Sequence, residues 1–151
     1  GAVLSTEEGA VEHLTCMVKG YVATTDDGLA VGRTENGERC WSSKGAPVSA
    51  QTEAMVHDGA SLLWLARDEG MASTVNVWAT NKGGKLASGS FAKVHAMHGT
   101  NERMVLGCED GSVVVWDREM FHRRLNSSGP SQEADERTSA LQAKLRALRR
   151  S

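Results

Sequence analysis

Short runs of apolar and β-branched residues recur along the first 125 residues, and each is followed at once by acidic residues and a glycine. The runs cover residues 21–25, 62–66 and 104–108, and a second short apolar run follows each acidic turn. This pattern predicts a β-hairpin at each place, in which the glycine supplies the positive φ of the turn. Further β-prone segments flank each hairpin, the last of them at residues 120–125. The pattern therefore predicts an antiparallel meander of four strands, present three times.

The acidic turns recur with a constant period. Their glycines, Gly28, Gly70 and Gly111, are spaced about 40 residues apart. A second series of glycines precedes the hairpins with the same period: Gly20, Gly59 and Gly99. Two markers with one period indicate an internal repeat, and a four-stranded antiparallel unit of this length is the sequence signature of a β-propeller blade.

The third copy resembles a WD repeat. Residues 107–117 read Gly-Cys-Glu-Asp-Gly-Ser-Val-Val-Val-Trp-Asp and end in the Trp-Asp pair, Trp116 and Asp117. The second copy keeps Trp78 but has alanine where the aspartate would follow, and the first copy has Gly32 and Arg33 at this place. The resemblance implies a propeller-like scaffold with these structural blade residues: Gly28, Gly70, Gly111, Trp78, Trp116 and Asp117.

We expect an all-β fold, a partial propeller over residues 1–125 with blades at about 11–43, 51–90 and 92–125, followed by a C-terminal α-helix. Propellers have four to eight blades, because the wedge-shaped sheets must close a ring. Three blades cannot close one. Further blades from the same parent protein, or from a second copy of the chain, are therefore expected partners.

The C-terminal residues have a different pattern. Residues 126–130 contain turn formers and predict a linker, whereas residues 131–151 have apolar side chains at helical spacing. The stripe includes Leu141, Leu145 and Leu148, and basic residues such as Arg149 lie near the helix end, where they complement the helix dipole. This amphipathic helix needs a surface, either the adjacent blade or another chain.

Composition and charge narrow the class of protein. A hydrophobic share of 40% with 24% charged residues is typical of a soluble globular chain. The net charge of −2 gives no overall basic field, so nucleic acid is not an expected partner, and no apolar run is long enough for a membrane span. Three separated cysteines form no disulfide framework, which favours a cytoplasmic location.

The sequence contains no convincing catalytic or metal-binding pattern. His13 with Cys16, and His95 with His98, are three residues apart, and on a strand such residues point to opposite faces. Cys108 lies in an apolar strand without an assignable base. We therefore expect no metal, no cofactor and no enzyme activity.

These observations predict a non-enzymatic scaffold for protein–protein interaction, the C-terminal part of a WD-repeat propeller with a docking helix. The alternative is a structural subunit or fragment that completes a larger cytoskeletal or trafficking assembly. The candidate partner-binding residues lie in the turns and on the helix: Asp26, Asp27, Arg67, Asp68, Glu109, Asp110, Leu141, Leu145, Leu148 and Arg149.

Overall fold

A computed structural model describes residues 1–80 and 84–126 of the chain. Within these ranges the chain forms eleven β-strands in three antiparallel sheets, followed by one helix. The three sheets belong to one compact unit, Gly1–Arg118, and the residues from Glu119 onward belong to a second. The successive meanders predicted from the repeat are thus confirmed.

The first sheet contains four strands in chain order. They are β1 (Val11–Met17), β2 (Gly20–Thr25), β3 (Leu29–Thr34) and β4 (Arg39–Lys44). The turn between β2 and β3 depends on Gly28, whose φ of 85° is readily adopted by glycine alone. Each strand therefore folds back on its predecessor, as the acidic turn predicts.

The second sheet repeats this arrangement with longer strands. They are β5 (Val48–His57), β6 (Ala60–Glu69), β7 (Ala72–Ala79) and β8 (Gly84–Ala92). A bulge between Ala54 and Val56 interrupts the register of β5, and Met55 there has a φ of 63°. The backbone N–H of Met55 donates instead to the carbonyl of Thr100, at 3.0 Å. The bulge therefore joins the second sheet to the next one.

The third sheet has three strands, β9 (Val94–Gly99), β10 (Arg103–Cys108) and β11 (Val113–Asp117). The fourth strand predicted over residues 120–125 is wrong, since these residues lie in helix α1 (Arg118–Asn126). The helix contains no β-branched residue, and arginine, glutamate, methionine and leucine are good helix formers. Glu119 in its first turn and Arg123 and Arg124 in its last complement the helix dipole.

The predicted linker and helix over residues 126–130 and 131–151 lie outside the described residues, except for Asn126, which ends α1.

The second sheet is covered on both faces. Successive residues of β6 from Leu62 to Ala66 are all nearly inaccessible to solvent, whereas a strand exposed on one face would alternate. On one side, Leu63 and Leu65 belong to a core cluster with residues of the first sheet, including Val22, Ala30 and Trp41. The opposite side packs against the third sheet.

A pair of tryptophans lies at each of the two sheet–sheet interfaces. Trp41 of β4 stacks on Trp78 of β7 with ring centroids 5.6 Å apart and an interplanar angle of 10°. Trp64 of β6 and Trp116 of β11 lie 6.5 Å apart at 44°. Such pairs contribute about 0.5–1.5 kcal/mol beyond the burial of their area. The order of the sheets in space therefore follows their order in the chain.

Candidate functional site

The three acidic turns lie at the same end of the three sheets. Arg67 at the end of β6 bonds to the backbone of the β2–β3 turn, which places that turn beside the β6–β7 turn. Ser73 beside the β6–β7 turn accepts a hydrogen bond from the N–H of Val94, and the N–H of Glu109 donates to the carbonyl of Lys93. We call the resulting surface the acidic turn face. It consists of Asp26, Asp27, Asp68, Glu69, Glu109 and Asp110.

Two carboxylates of the acidic turn face build their own turns. Asp27 Oδ1 accepts hydrogen bonds from Thr25 Oγ1 at 2.5 Å and from the N–H of Leu29 at 3.2 Å. Asp110 Oδ1 accepts hydrogen bonds from Ser112 Oγ at 2.6 Å and from the N–H of Ser112 at 2.9 Å. These bonds favour the ionised form and lower the pKa of Asp27 and of Asp110. Both carboxylates are therefore charged and held in place.

The middle turn is fixed in a similar way. Asp68 Oδ1 accepts a hydrogen bond from Ser73 Oγ at 3.2 Å, and Glu69 Oε2 accepts one from Thr74 Oγ1 at 2.9 Å. Ser73 Oγ in turn accepts a hydrogen bond from the N–H of Val94 at 3.0 Å. This chain of bonds connects the β6–β7 turn to the start of β9.

Asp26 and Glu109 are the more available carboxylates of the acidic turn face. Both side chains are exposed, and Asp26 makes no side-chain hydrogen bond or ion pair with the part of the chain that the structure describes. Glu109 lies 3.9 Å from His95 Nε2.

Two lysines, Lys44 and Lys93, offset part of the negative charge of the acidic turn face. The ammonium of Lys44 lies 3.9 Å from the carboxylate of Asp27. An exposed ion pair of this length contributes little to stability in water.

Arg67 is not available to a partner, contrary to the sequence-based expectation. Its residue is only 4% exposed, and Nη1 donates to the carbonyls of Gly28 at 2.6 Å and Ala46 at 2.7 Å, while Nη2 donates to that of Ser43 at 3.0 Å. Burial lowers the pKa of Arg67. The guanidinium therefore ties the second sheet to the first beneath the acidic turn face.

The residues predicted to maintain the blades lie in the turns, at the sheet–sheet interfaces and, for Asp117, at the surface. Gly28, Gly70 and Gly111 have the positive φ that the hairpins require, with values of 85°, 70° and 86°. Trp78 and Trp116 lie at the two sheet–sheet interfaces described above. Asp117 is exposed at the end of β11, opposite Arg103 in register.

The helix candidates Leu141, Leu145, Leu148 and Arg149 lie outside the described residues.

Sequence reasoning missed an ion pair between the N-terminal segment and the first sheet. Arg33 Nε donates to Glu7 Oε1 at 2.7 Å and Nη2 donates to Oε2 at 3.2 Å, and both side chains are largely buried. The hydrogen bond from Arg33 lowers the pKa of Glu7. Arg33 follows the turn glycine Gly28 by five residues, as Trp116 follows Gly111, and it is paired across the sheet with Tyr21. This departure from the tryptophan pattern was the signal available in the sequence.

Residues 1–80 and 84–126 contain no group of three or more histidine, cysteine, aspartate or glutamate side chains able to hold a metal ion. In those same ranges no helix has the length and apolar character needed to cross a membrane.

Comparison with known proteins identifies the fold. No family model matches the chain, and no curated protein matches it. Crystal structures of BBS1N in complex with ARL6DN, soaked with mercury or with lead, match with a TM-score of 0.61 at 15% identity and cover 74% of this chain. BamB from Moraxella catarrhalis matches with a TM-score of 0.53 at 18% identity over 69% of this chain.

The chain spans about a third of the length of these structures, which are covered for 35%, 34% and 30% of their own chains. Both BBS1N and BamB are β-propellers. At this level of identity the likeness concerns the fold alone. Together with the three successive antiparallel sheets, it shows that residues 11–117 have the fold of a partial β-propeller.

Proposed function

We propose that this chain is a non-enzymatic protein-interaction scaffold, part of a propeller of the WD-repeat type, whose acidic turn face binds a basic surface of a partner protein. The helix predicted over residues 131–151 provides a second docking element, and the location is the cytoplasm.

The convergence of three acidic turns at one end of the sheets carries this proposal. Hydrogen bonds hold the carboxylates of Asp27, Asp68, Glu69 and Asp110, and Arg67 fixes the first two sheets to each other beneath them. Binding to such a prearranged surface costs little ordering entropy. A rigid scaffold that presents charged loops is suited to recognition by complementary charge.

The structural neighbours support a role in protein binding. BBS1N was crystallised in complex with ARL6DN, which is a protein partner of that propeller. By analogy, this chain is proposed to use its propeller surface for protein contacts.

The test measures binding of a basic probe. A fifteen-residue peptide rich in lysine and arginine is titrated calorimetrically into the wild-type chain and into the double variant Asp26→Lys with Glu109→Lys. We expect the double variant to weaken binding about tenfold at low salt, with a smaller difference at high salt because the charges are exposed.

The matched control is Glu35→Lys with Glu38→Lys, which makes the same charge change at exposed residues of the β3–β4 turn, at the other end of the first sheet. Equal weakening by both double variants would show binding to net charge alone and would contradict the proposed site. Reproducible substrate turnover that is lost on changing one polar residue would contradict the non-enzymatic assignment.

The second candidate function is that of a structural subunit in a larger assembly, and the free face of the third sheet favours it. Val113 and Val115 are 66% and 51% exposed, on the face of β11 opposite to that of Trp116. Exposed apolar sheet faces are typical of interfaces. Mass measurement by light scattering separates the two: a monodisperse monomer favours the self-contained module, and an obligate oligomer favours the assembly.

A further inference from the structure

A cleft lies between the first two sheets at the end opposite to the acidic turn face. It is lined by the β1–β2 turn, the end of β3 and the β5–β6 turn, and in antiparallel sheets these lie at the other ends of the strands. Its volume is about 290 Å³ and it opens to solvent. We call it the intersheet cleft. Its lining includes Met17, Lys19, Val22, Trp41, Ala60 and Ser61.

Two glycines shape this cleft. A Cβ on Gly32 would clash with the indole of Trp41, and a Cβ on Gly20 would clash with the carbonyl of Arg33. The absence of these side chains lets Trp41 lie flat along the first sheet, where it also stacks on Trp78. One wall of the cleft is therefore the aromatic ring of Trp41, which packs on the first sheet and on Trp78.

The cleft combines an apolar lining with hydrogen-bond donors. Met17, Val22 and Trp41 supply the apolar surface. The exposed ammonium of Lys19 and the indole N–H of Trp41 make no hydrogen bond or ion pair with residues 1–80 and 84–126. Arg33 also lines the cleft, but its guanidinium bonds to Glu7 and to the carbonyl of Gly37 on the face of the first sheet that points away from the second. No carboxylate side chain is among the described lining residues.

We propose that the intersheet cleft binds an apolar side chain of an extended segment of a partner protein, next to an aspartate or glutamate in that segment. The volume lies at the lower end of the range for ligand sites, so it accommodates one large side chain while the peptide backbone stays outside. The carboxylate pairs with Lys19 at the mouth of the cleft. The segment that binds the intersheet cleft is therefore acidic, whereas the proposed partner of the acidic turn face is basic. The experiment on one site can accordingly fail while the experiment on the other succeeds.

The test uses a blocked seven-residue peptide with phenylalanine at its centre and glutamate on both sides. Matched peptides have glutamine or lysine at the flanks, or alanine at the centre. Binding to the full chain is followed by ¹⁵N–¹H NMR at the indole N–H of Trp41 and at the amides of Gly32 and Ala60. We expect saturable shifts with the glutamate-flanked phenylalanine peptide, weaker shifts with the glutamine-flanked one, and none with the alanine peptide.

Two variants locate the binding. Lys19→Glu reverses the pairing charge on an exposed turn and should weaken binding about threefold to fivefold. Ala60→Phe fills the cleft and should abolish binding, provided that circular dichroism shows an intact fold. Lys44→Glu makes the same charge change at the opposite end and should leave the affinity unchanged.

Three results would overturn the proposal. They are the absence of saturable shifts with the glutamate-flanked peptide, equal affinity for the lysine-flanked peptide, and an affinity that Lys19→Glu changes no more than Lys44→Glu does.

Discussion

Arg67 shows how a single side chain connects distant parts of this fold. Its three carbonyl partners belong to residues 21 to 39 positions earlier in the chain. A buried guanidinium is tolerated because these carbonyls replace the water it has lost. Its burial could not be predicted from the sequence, since the partners are set by the packing of one sheet on another. The glycines of the acidic turns could be predicted, because their positive φ is a local requirement.

Arg67→Met should destabilise the fold. The substitution keeps the apolar stem but leaves the carbonyls of Gly28, Ala46 and Ser43 without their donor, and we expect a loss of about 2 to 4 kcal/mol in the free energy of unfolding. Urea denaturation measures it. Arg39→Met, at an exposed residue, is the control and should change stability by less than about 0.5 kcal/mol. Equal stability of the two variants would refute the tie between the sheets.

The ion pair between Glu7 and Arg33 predicts a pH dependence. The pKa of Glu7 in the fold lies below its ordinary value of 4.5, so the pair stabilises the fold fully above that value. The stabilisation is lost as the pH falls through the lowered pKa. The difference in unfolding free energy between wild type and Glu7→Gln should therefore be constant near neutral pH and shrink in acid. Glu8→Gln is the control, and a difference that grows in acid would contradict the pairing.

At the scale of elements, the hairpins were predictable and the end of the repeat was not. Each acidic turn combines a glycine with short β-prone runs, which are local signals that the fold preserves in all three sheets. The repeat suggested a strand over residues 120–125, but helix-forming residues with suitable end charges produced α1. Local propensity thus prevailed over periodicity. The intersheet cleft also escaped prediction, because it depends on how two sheets pack.

Trp116→Ala should reveal the contribution of the contact between the second and third sheets. Removing a large aromatic side chain that packs on Trp64 should cost about 3 to 5 kcal/mol in unfolding free energy. Thermal and urea denaturation measure the loss. Val113→Ala on the exposed face of the same strand serves as the control. Full retention of thermal stability by Trp116→Ala would count against this interface.

At the scale of the whole molecule, the middle sheet is the best protected and the third sheet has a free apolar face. The face of the first sheet that points away from the second is covered in part by the N-terminal segment through Glu7 and Ser5. On the third sheet, Val113 and Val115 are exposed. The chain also spans only about a third of the propellers it resembles. That further blades or another chain complete the structure stays a prediction.

Self-association through this face can be tested directly. The second candidate function, a subunit of a larger assembly, predicts that the wild-type chain associates as its concentration rises. It also predicts that the double variant Val113→Thr with Val115→Thr associates less, because threonine keeps the β-branched shape but makes the face polar. Light scattering over a range of concentrations measures this. A variant that associates as strongly as the wild type would place the contact elsewhere.

The order of the three sheets underlies both proposed binding surfaces, and contacts between tryptophan rings test it most directly. In NMR spectra of the full chain, we predict nuclear Overhauser effects between the rings of Trp41 and Trp78 and between those of Trp64 and Trp116. Absence of both pairs of contacts, or a direct contact between Trp41 and Trp116, would contradict the arrangement of successive blades.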